Sequence, residues 1–350
     1  MTKVLERIMN FLIKNGMNKI KKLLLLLLLC VCTAMNAQTL VDTVPHNKNV
    51  VLEEFTGIHC TYCPDGHVMA QSIYGAYPQR VSLINVHTGG YANPSVGEPD
   101  FRTVFGSSLG SQSSLSGYPA GTINRHLFFN LSQNGGTAMS RGDWQLATII
   151  TLNELSPVNI GSIAQYDTIT NELHIDVEIY YTDTQSVFLN YLNIAITQDS
   201  ILGPQVGAQT FNSAAIVPGP WSPTYSHQHM LRHLVTGQWG AVLDPITPGT
   251  FINLRYTWQV PPDINDLPVV IKDLNVVSFI TESSQEILNS TETPVTILPQ
   301  PVSSVYEVGV VIEEDGVRWY SDQTFDLLGR EIFEIPKGTV YIKNGKKFIK

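Results

Sequence analysis

The sequence predicts an α/β domain followed by an all-β domain. Residues 50–55 and 81–86 are apolar runs of strand length, and residues 63–77 between them have helical spacing. A strand, a helix and a second strand in this order favour parallel pairing of the strands, which is typical of an α/β domain. Residues 173–180 instead alternate apolar and polar side chains, which is the pattern of a half-buried strand.

The α/β domain is expected over residues 45–150. Its helix would place Val68, Ala70 and Ile73 on one apolar side, facing the sheet. Residues 107–116 are rich in serine, but no base at a suitable spacing accompanies them. We therefore interpret this stretch as a mobile loop.

The all-β domain is expected over residues 156–298. Alternating apolar residues recur around Ile194, and residues 256–258 and 276–280 supply further strands between turns rich in proline and glycine. A β-sandwich is the natural architecture for this pattern. A stiff linker at residues 299–304 then leads to a small β unit at residues 305–350.

Residues 1–37 are expected to form a signal peptide. Lys19, Lys21 and Lys22 precede a run of leucines, and small residues follow as far as Ala37. A charged start, a short apolar core and a small-residue end are the three parts of such a signal, with cleavage expected after Ala37.

Alternatives to this processing stay open. Met17 opens the charged segment cleanly and is an alternative start of the chain. The leucine run would serve as an anchor if it were not cleaved, and a lipoprotein signal would use Cys30 or Cys32. After the leucine run, no segment reaches the roughly 18 continuous apolar residues of a membrane helix. We therefore expect no membrane span in the mature chain.

The charge of the protein excludes one class of partner. The chain has 21 Lys and Arg residues and 30 Asp and Glu residues, a formal net charge of −9. Removal of residues 1–37 takes away six basic residues and one acidic residue, which leaves 15 against 29 and a net charge of −14. Nucleic acids bind basic surfaces, so we expect no nucleic-acid partner.

The mature protein would keep two cysteines, Cys60 and Cys63, in a Cys-Thr-Tyr-Cys motif. In an oxidising compartment two thiols this close form either a disulfide or a redox couple. The motif stands where a strand runs into a helix, and a helix N-terminus favours a thiolate at Cys60. Zinc needs four ligands and the sequence has no second cysteine pair, so we expect neither a metal nor another cofactor here.

A second group of histidines consists of His227, His229 and His233. On a strand His227 and His229 would share a face and could bind a metal. No carboxylate at a suitable spacing completes such a site. We therefore interpret these histidines as polar residues that pack at a domain interface.

The region around the cysteines resembles the thioredoxin superfamily. Glu54 stands on the incoming strand six positions before Cys60, and the Tyr-Pro pair that ends at Pro119 resembles the cis-proline loop of that family. The resemblance implies that Cys60 is the nucleophile and Cys63 the resolving thiol. It also implies that Pro119 faces the substrate and that Glu54 assists proton transfer to Cys63.

Some features depart from that family. His59 stands where tryptophan is common, and the Thr-Tyr spacer is neither the Gly-Pro nor the Pro-His pair of well-known reductants and oxidants. The direction of electron flow therefore stays open. The role of Glu54 also has an alternative, because a strand carboxylate beside Glu53 can simply face solvent.

Five motifs, in order, resemble the 28-kDa outer-membrane-protein-related family. They are Glu-Glu-Phe-Thr-Gly at 53–57, Cys-x-x-Cys-Pro-x-Gly-His at 60–67, Gly-Tyr-Pro-x-Gly-x-x-Asn-Arg at 117–125, Tyr-Ser-His-Gln-His-Met-Leu-Arg at 225–232 and Val-Val-Ser-Phe at 276–279. The resemblance covers about residues 45–298. It implies a thioredoxin-like domain followed by an immunoglobulin-like sandwich in an envelope protein whose biochemical role is poorly defined.

The C-terminal unit resembles the type A sorting domain of type IX secretion. The likeness rests on Phe-Asp-Leu-Leu-Gly-Arg at 325–330, Lys-Gly-Thr-Val-Tyr-Ile at 337–342 and a lysine-rich end. It implies that the type IX secretion machinery is a partner and that the protein crosses the periplasm to the outer membrane surface or the exterior. The alternative is an ordinary small β module that closes the sandwich.

Two functions are compatible with the sequence. The first is thiol–disulfide exchange by Cys60 and Cys63 in an exported protein, with protein thiols or disulfides as substrates. The second is a surface binding or structural protein that keeps the scaffold without catalysis, with the two cysteines as a structural disulfide. The β-sandwich and the sorting unit favour the second function somewhat, since dedicated periplasmic redox enzymes rarely need them.

Overall fold

A computed structural model of the 350-residue chain describes residues 40–184 and 189–298, together with the backbone of short strands between residues 310 and 349. The predicted signal peptide at residues 1–37, with its alternative start, and the linker at 299–304 lie outside the described residues. The chain divides into two compact units. The first comprises Met1–Tyr166 and Asn171–Thr296, and the second comprises Asp167–Thr170 and Ile297–Lys350.

Strands outnumber helices in the described part of the chain. The α-helices are α1 (Cys63–Ala76), α2 (Gly106–Gln112), α3 (Trp144–Leu152) and α4 (Ala208–Phe211). Short 3-10 turns lie at Gly90–Ala92, Arg141–Asp143, Ser213–Ala215 and Ile271–Asp273. The strands of the first unit are β1 (Val50–Thr56), β2 (Val81–His87), β3 (Ala120–Ile123), β4 (Met139–Ser140), β5 (Val158–Asp167), β6 (Glu172–Tyr181), β7 (Asn190–Gln198), β8 (Ile201–Pro204), β9 (Ile216–Val217), β10 (Thr224–His227), β11 (Met230–Leu234), β12 (Ala241–Leu243), β13 (Phe251–Gln259), β14 (Asp263–Ile264), β15 (Leu267–Pro268), β16 (Leu274–Glu282) and β17 (Glu286–Ile297).

Twelve of the described strands form one sheet. Its order is β13-β6-β5-β17-β16-β7-β11-β2-β1-β3-β4, and β12 pairs with β7. Strand β1 pairs in parallel with β2 and antiparallel with β3, so the parallel pairing predicted for residues 50–55 and 81–86 is confirmed. Strand β2 pairs with β11 through Asn85 and Met230, and the sheet therefore runs through both predicted domains. An α/β region followed by a β-rich region is confirmed, whereas the predicted domain boundaries stay a prediction.

Strand β1 is buried on both faces because apolar side chains pack against each of them. Val50 and Leu52 face a cluster that includes α1 and α3, and Val51 and Phe55 face a second cluster that includes Leu109 of α2. The strand is apolar at Val50, Val51, Leu52 and Phe55, and it also buries the carboxyl groups of Glu53 and Glu54.

Helix α1 packs on this sheet with a narrower apolar side than the sequence predicts. Ala70 and Ile73 are almost fully buried, but Val68 is 43% exposed, so the prediction for Val68 is wrong. The reason is helix geometry: Val68 stands two positions before Ala70, about 200° around the helix, so the two side chains cannot share a face.

Residues 107–116 do not form the loop that their serine content suggests. Residues Gly106–Gln112 form α2, in which Leu109 is 2% exposed and packs with Phe55 and Ile84. Serine and glycine are weak helix formers, but burial of one large apolar side chain can outweigh their propensity. The helix therefore depends on tertiary packing.

The β-rich region has its own apolar cluster. Leu173, Ile175, Val177 and Ile179 of β6 are fully buried, and the residues between them are partly exposed. They pack with apolar residues of β7 and β16. The alternation predicted for residues 173–180 is confirmed.

A buried ion pair fixes β1 to the chain that follows β3. Arg125 donates two hydrogen bonds to Glu53, with N–O distances of 2.7 and 2.6 Å, and both side chains are about 2% exposed. The guanidinium also lies 5.2 Å from the centroid of the Phe279 ring. Next to it, Asn124 accepts a 2.7 Å hydrogen bond from the Val51 amide. The Asn-Arg pair therefore ties three strands of the sheet together.

The second unit contains described strands β18 (Val310–Glu313), β19 (Gly316–Trp319), β20 (Thr324–Asp326), β21 (Val340–Lys343) and β22 (Lys346–Ile349). Strands β18 and β19 pair antiparallel, and β21 lies between β20 and β22. The predicted unit at residues 305–350 and its identity as a sorting domain both stay predictions. Within the described residues, no helix is long and apolar enough to cross a membrane.

Replacement of Arg125 by methionine is expected to lower the free energy of unfolding by about 3–5 kcal/mol, because it leaves the Glu53 carboxylate buried without its counter-charge. Urea unfolding of the oxidised protein measures this change. The control is Arg255→Met, since Arg255 forms a similar two-bond pair with Asp176 but is 65% exposed. That change should lower the free energy of unfolding far less, because solvent screens the exposed pair. Equal losses in the two variants would contradict the role of the buried pair.

Candidate functional site

The two cysteines form a disulfide at the junction of β1 and α1. Cys60 and Cys63 are bonded, with Cα atoms 5.4 Å apart. Helix α1 begins at Cys63, and Pro64 occupies its first turn, where the missing amide proton costs nothing. The Cys60 amide donates to the Gly57 carbonyl oxygen at 3.0 Å, which closes the turn that leads into the helix.

This turn is held against the 3-10 turn at Gly90–Ala92. The His59 amide donates to the Tyr91 carbonyl oxygen at 3.0 Å. A Cβ atom at Gly57 would lie 2.5 Å from the Tyr91 backbone, so only glycine fits at this close approach. His59 lies 2.9 Å from a carboxylate oxygen of Glu98 and not in a hydrogen bond to either cysteine.

Pro119 lies beside the first turn of α1. The peptide bond between Tyr118 and Pro119 is cis, and Pro119 directly precedes β3, which pairs with β1. A Cβ atom built on Gly66 would lie 3.0 Å from the Pro119 Cβ atom. The structure therefore brings Pro119 to the helix start that carries the disulfide, and its substrate-side role stays a prediction.

Glu54 lies under the same turn of the helix. Its side chain is fully buried, which excludes the solvent-facing alternative. A Cβ atom on Gly66 would lie 2.5 Å from the Oε1 atom of Glu54, so the helix backbone sits directly over the carboxyl group. Neither carboxyl oxygen has a hydrogen-bond partner among the described residues. Burial raises the pKa of Glu54 well above its usual range, opposed by the positive charge of Arg141.

His67 links this carboxyl group to the β-rich region. Its Nε2 atom lies 3.0 Å from the Thr56 hydroxyl and 3.8 Å from Glu54 Oε1. Its Nδ1 atom lies 2.9 Å from the hydroxyl of Tyr225 in β10. Burial lowers the pKa of His67 to about 4, so the ring is neutral near pH 7.

A segment of the β-rich region covers the disulfide. We call residues 205–211 the covering segment. The Gln205 side chain donates to the Cys60 carbonyl oxygen at 3.1 Å, and the Val206 amide donates to the Ile58 carbonyl oxygen at 2.8 Å. In this arrangement Cys60 is only 3% exposed and Cys63 is fully buried.

Gly207 permits the closest approach of the covering segment. It has a φ of 80°, and a Cβ atom there would collide with the Thr61 carbonyl oxygen. Phe211, at the end of the segment, packs on the Tyr62 ring with centroids 5.3 Å apart. The covering segment is not predicted from the sequence, because nothing in the order of residues shows that Gly207 meets a turn almost 150 positions earlier.

The predicted group of three histidines does not assemble. His229 has a φ of 51° in the turn between β10 and β11, so the strand is interrupted and His227 and His229 do not share a face. His229 lies beside Gln71 of α1, and His233 stacks on the Trp258 ring at 5.3 Å. The expectation of a shared face is therefore wrong.

His227 instead joins a different buried group. Its ring lies 5.3 Å from that of His87 and 4.7 Å from that of Phe101, measured between centroids. Neither ring nitrogen of His87 has a hydrogen-bond partner among the described residues. Burial lowers the pKa of His87 to about 3, so this ring is neutral in the folded protein. In the described part of the chain, no three His, Cys, Asp or Glu side chains are arranged to hold a metal ion.

Comparison with known proteins gives one family match. The family model described as outer membrane protein Omp28 matches residues 107–296, more than half of the chain. The matched residues include Pro119 and the covering segment but not the two cysteines. No curated protein sequence matches the chain significantly.

Solved structures also resemble this chain. HBP35 of Porphyromonas gingivalis is 16% identical, with a TM-score of 0.56 over 87% of this chain and 97% of that chain. At this identity the likeness shows a shared fold. A domain of the outer membrane lipoprotein Omp28 from Porphyromonas gingivalis is 15% identical, with a TM-score of 0.27 over 41% of this chain and 90% of that chain.

Replacement of Gly207 by alanine is expected to accelerate reduction of the disulfide by dithiothreitol at least about tenfold, equivalent to ~1.4 kcal/mol. The added Cβ atom would push the covering segment away from Thr61 and expose Cys60. The control is Gly237→Ala, because Gly237 has a similar φ of 78° and a Cβ atom added there would have no atom within 4 Å. Stopped-flow reduction measures both rates. Similar rates in the two variants would contradict the covering role.

Proposed function

Because this chain belongs to the family of outer membrane protein Omp28, we propose that it is an exported envelope protein whose Cys60–Cys63 disulfide exchanges with thiols of other proteins. One observation carries this proposal: the disulfide stands at the start of α1, where Pro119 and Glu54 both pack against Gly66. The proposed substrates are protein thiols and disulfides.

The topology around the disulfide supports a thioredoxin-like assignment for residues 45–150. Strand β1 leads through the cysteine motif into α1, β2 returns parallel to β1, and β3 follows the cis-proline bond in antiparallel pairing. As a second part of the proposal, we assign an immunoglobulin-like sandwich to residues 156–298. It is supported by the apolar cluster that β6 shares with β7 and β16, which are not its neighbours in the sheet order.

The proposed exchange assigns a role to each residue of the site. A partner thiolate attacks the Cys60 sulfur, the bond between the cysteines breaks, and Cys63 leaves as a thiolate. Glu54 supplies the proton that Cys63 takes up, and Pro119 lies on the substrate side. In the reverse direction the helix N-terminus stabilises a Cys60 thiolate, and Cys63 resolves the mixed disulfide.

A second candidate function has one observation in its favour. Cys60 is only 3% exposed, and the covering segment is hydrogen-bonded to its carbonyl oxygen. A surface binding or structural protein, with the cysteine pair as a permanent disulfide, is compatible with this burial. The two functions differ in redox properties that can be measured directly.

If the Cys60–Cys63 disulfide exchanges with protein thiols, its reduction potential should lie above about −300 mV, and the full chain should catalyse the reduction of insulin. Cys60→Ser should abolish turnover, because it removes the sulfur that forms the mixed disulfide. Cys63→Ser should instead accumulate a mixed disulfide with substrate, because the resolving thiol is missing. A potential below about −300 mV with no turnover would establish the structural disulfide and reject the exchange function.

We further propose that residues 1–37 direct export and that the C-terminal strands act as a type A sorting domain for the type IX secretion machinery. On this route the protein passes through the periplasm to the outer membrane surface or the exterior. Intact-mass analysis of the fractionated cell should find mature protein without residues 1–37. Protein that keeps both ends and stays in the periplasm would contradict this route.

A further inference from the structure

A proton given up by Glu54 has to be replaced from solvent, and the carboxyl group itself does not reach the surface. Gly66 lies directly over it, and neither of its oxygens has a hydrogen-bond partner among the described residues. The nearby polar hydrogen donor is the Nε2 atom of His67, 3.8 Å from Oε1. Replacement of the proton through polar groups therefore leads by way of His67.

The hydrogen bonds around Tyr225 set the tautomer of His67. The Asn212 side-chain amide donates to the Tyr225 oxygen at 2.7 Å, so the hydroxyl proton is free to point at His67 Nδ1, 2.9 Å away. Nδ1 then accepts, and a neutral ring carries its own proton on Nε2. That proton faces Thr56 and Glu54.

The other end of this chain of groups reaches a cavity of about 360 Å³. His67, Tyr225 and Asn212 all line it, together with Gln71 and Ala214, which are exposed. A cavity of this size that is lined in part by polar groups holds several water molecules, which can exchange protons with bulk solvent. The series of groups Glu54, His67 and Tyr225 thus leads from beneath the first turn of α1 to the water in this cavity.

We propose that His67 and Tyr225 form a relay that returns protons from this cavity to Glu54. The inference rests on the proposed exchange at the disulfide and adds its proton route. His67 and Tyr225 are positioning residues in this relay, because neither is placed against the sulfur atoms.

The relay supplies one proton for each Cys63 thiolate that is released. A thiolate of a protein dithiol attacks Cys60, and Cys63 leaves as a thiolate that takes the carboxyl proton of Glu54. The Glu54 carboxylate takes the Nε2 proton of His67, and Nδ1 takes the hydroxyl proton of Tyr225. Water in the cavity reprotonates Tyr225, so the net change is uptake of one proton from solvent.

Other titratable groups near this route come from several elements. His227 of β10 has its ring 6.5 Å from that of His67, and His87 of β2 lies beyond it. Arg141 acts on Glu54 from the 3-10 turn before α3, where it pairs with Asp65 of α1. Burial lowers the pKa values of His87 and His227, so near pH 7 both rings are neutral and Arg141 is the one cation among these groups.

The test measures the rate of disulfide reduction by dithiothreitol in the full chain between about pH 6 and pH 9. Tyr225→Phe removes only the hydroxyl group and should slow the reaction at least about tenfold at pH 7, with a flatter pH profile. The matched control is Tyr74→Phe in α1, whose hydroxyl contacts Glu292 instead and is expected to keep the wild-type profile. The disulfide of the His67→Ala variant should also be reduced slowly, and added imidazole should restore the reduction rate by entering the cavity.

The outcomes separate the relay from the exchange function. If the wild type turns over insulin but Tyr225→Phe keeps the wild-type pH profile, the relay is overturned and the exchange function stands. Suppose that Tyr225→Phe has a flattened pH profile and imidazole rescues His67→Ala, but the wild type does not turn over insulin. These results would support the relay and overturn the exchange function. A wild-type disulfide that dithiothreitol does not reduce would overturn both.

Discussion

Two adjacent carboxyl groups on the central strand, both fully buried, set the arrangement of the whole site. Successive side chains of a strand point to opposite faces, so Glu53 and Glu54 enter two different parts of the core. Glu53 meets Arg125 and forms a two-bond ion pair with it. Glu54 lies under the first turn of α1, and its nearest ionisable neighbour is the neutral ring of His67. Without a counter-charge in contact, the neutral form of Glu54 is favoured. One strand therefore carries both a structural ion pair and a candidate proton donor.

The surroundings of the disulfide come from distant parts of the chain. The cysteines lie before residue 107, outside the family match, whereas Pro119, the covering segment and Tyr225 lie within it. The β-rich region thus supplies the cover, the hydroxyl partner of His67 and part of the nearby cavity. The region therefore forms part of the surroundings of the disulfide, and the pairing of β2 with β11 continues one sheet from the first part to the second.

Local patterns in the sequence were sufficient to predict the helix start at Cys63, the parallel strands and the alternation in β6, because each depends on residues close in the chain. Features that depend on distant contacts were not predictable in this way. Helix α2 forms through burial of Leu109 against its serine content, and Gly207 meets a turn far upstream. The burial of Glu54 likewise follows from the approach of Gly66, which no spacing in the sequence reveals.

The short span of the disulfide has a consequence for the stability of the fold. Cys60 and Cys63 are three positions apart, so the bond closes a loop of only four residues. In the chain-entropy description, closing a loop of this length raises the free energy of the unfolded chain by about 2 kcal/mol. That is less than half the value for a loop of about a hundred residues. Opening the bond therefore removes little cross-linking from the denatured ensemble. Reduction of this one bond is accordingly expected to leave the surrounding sheet folded.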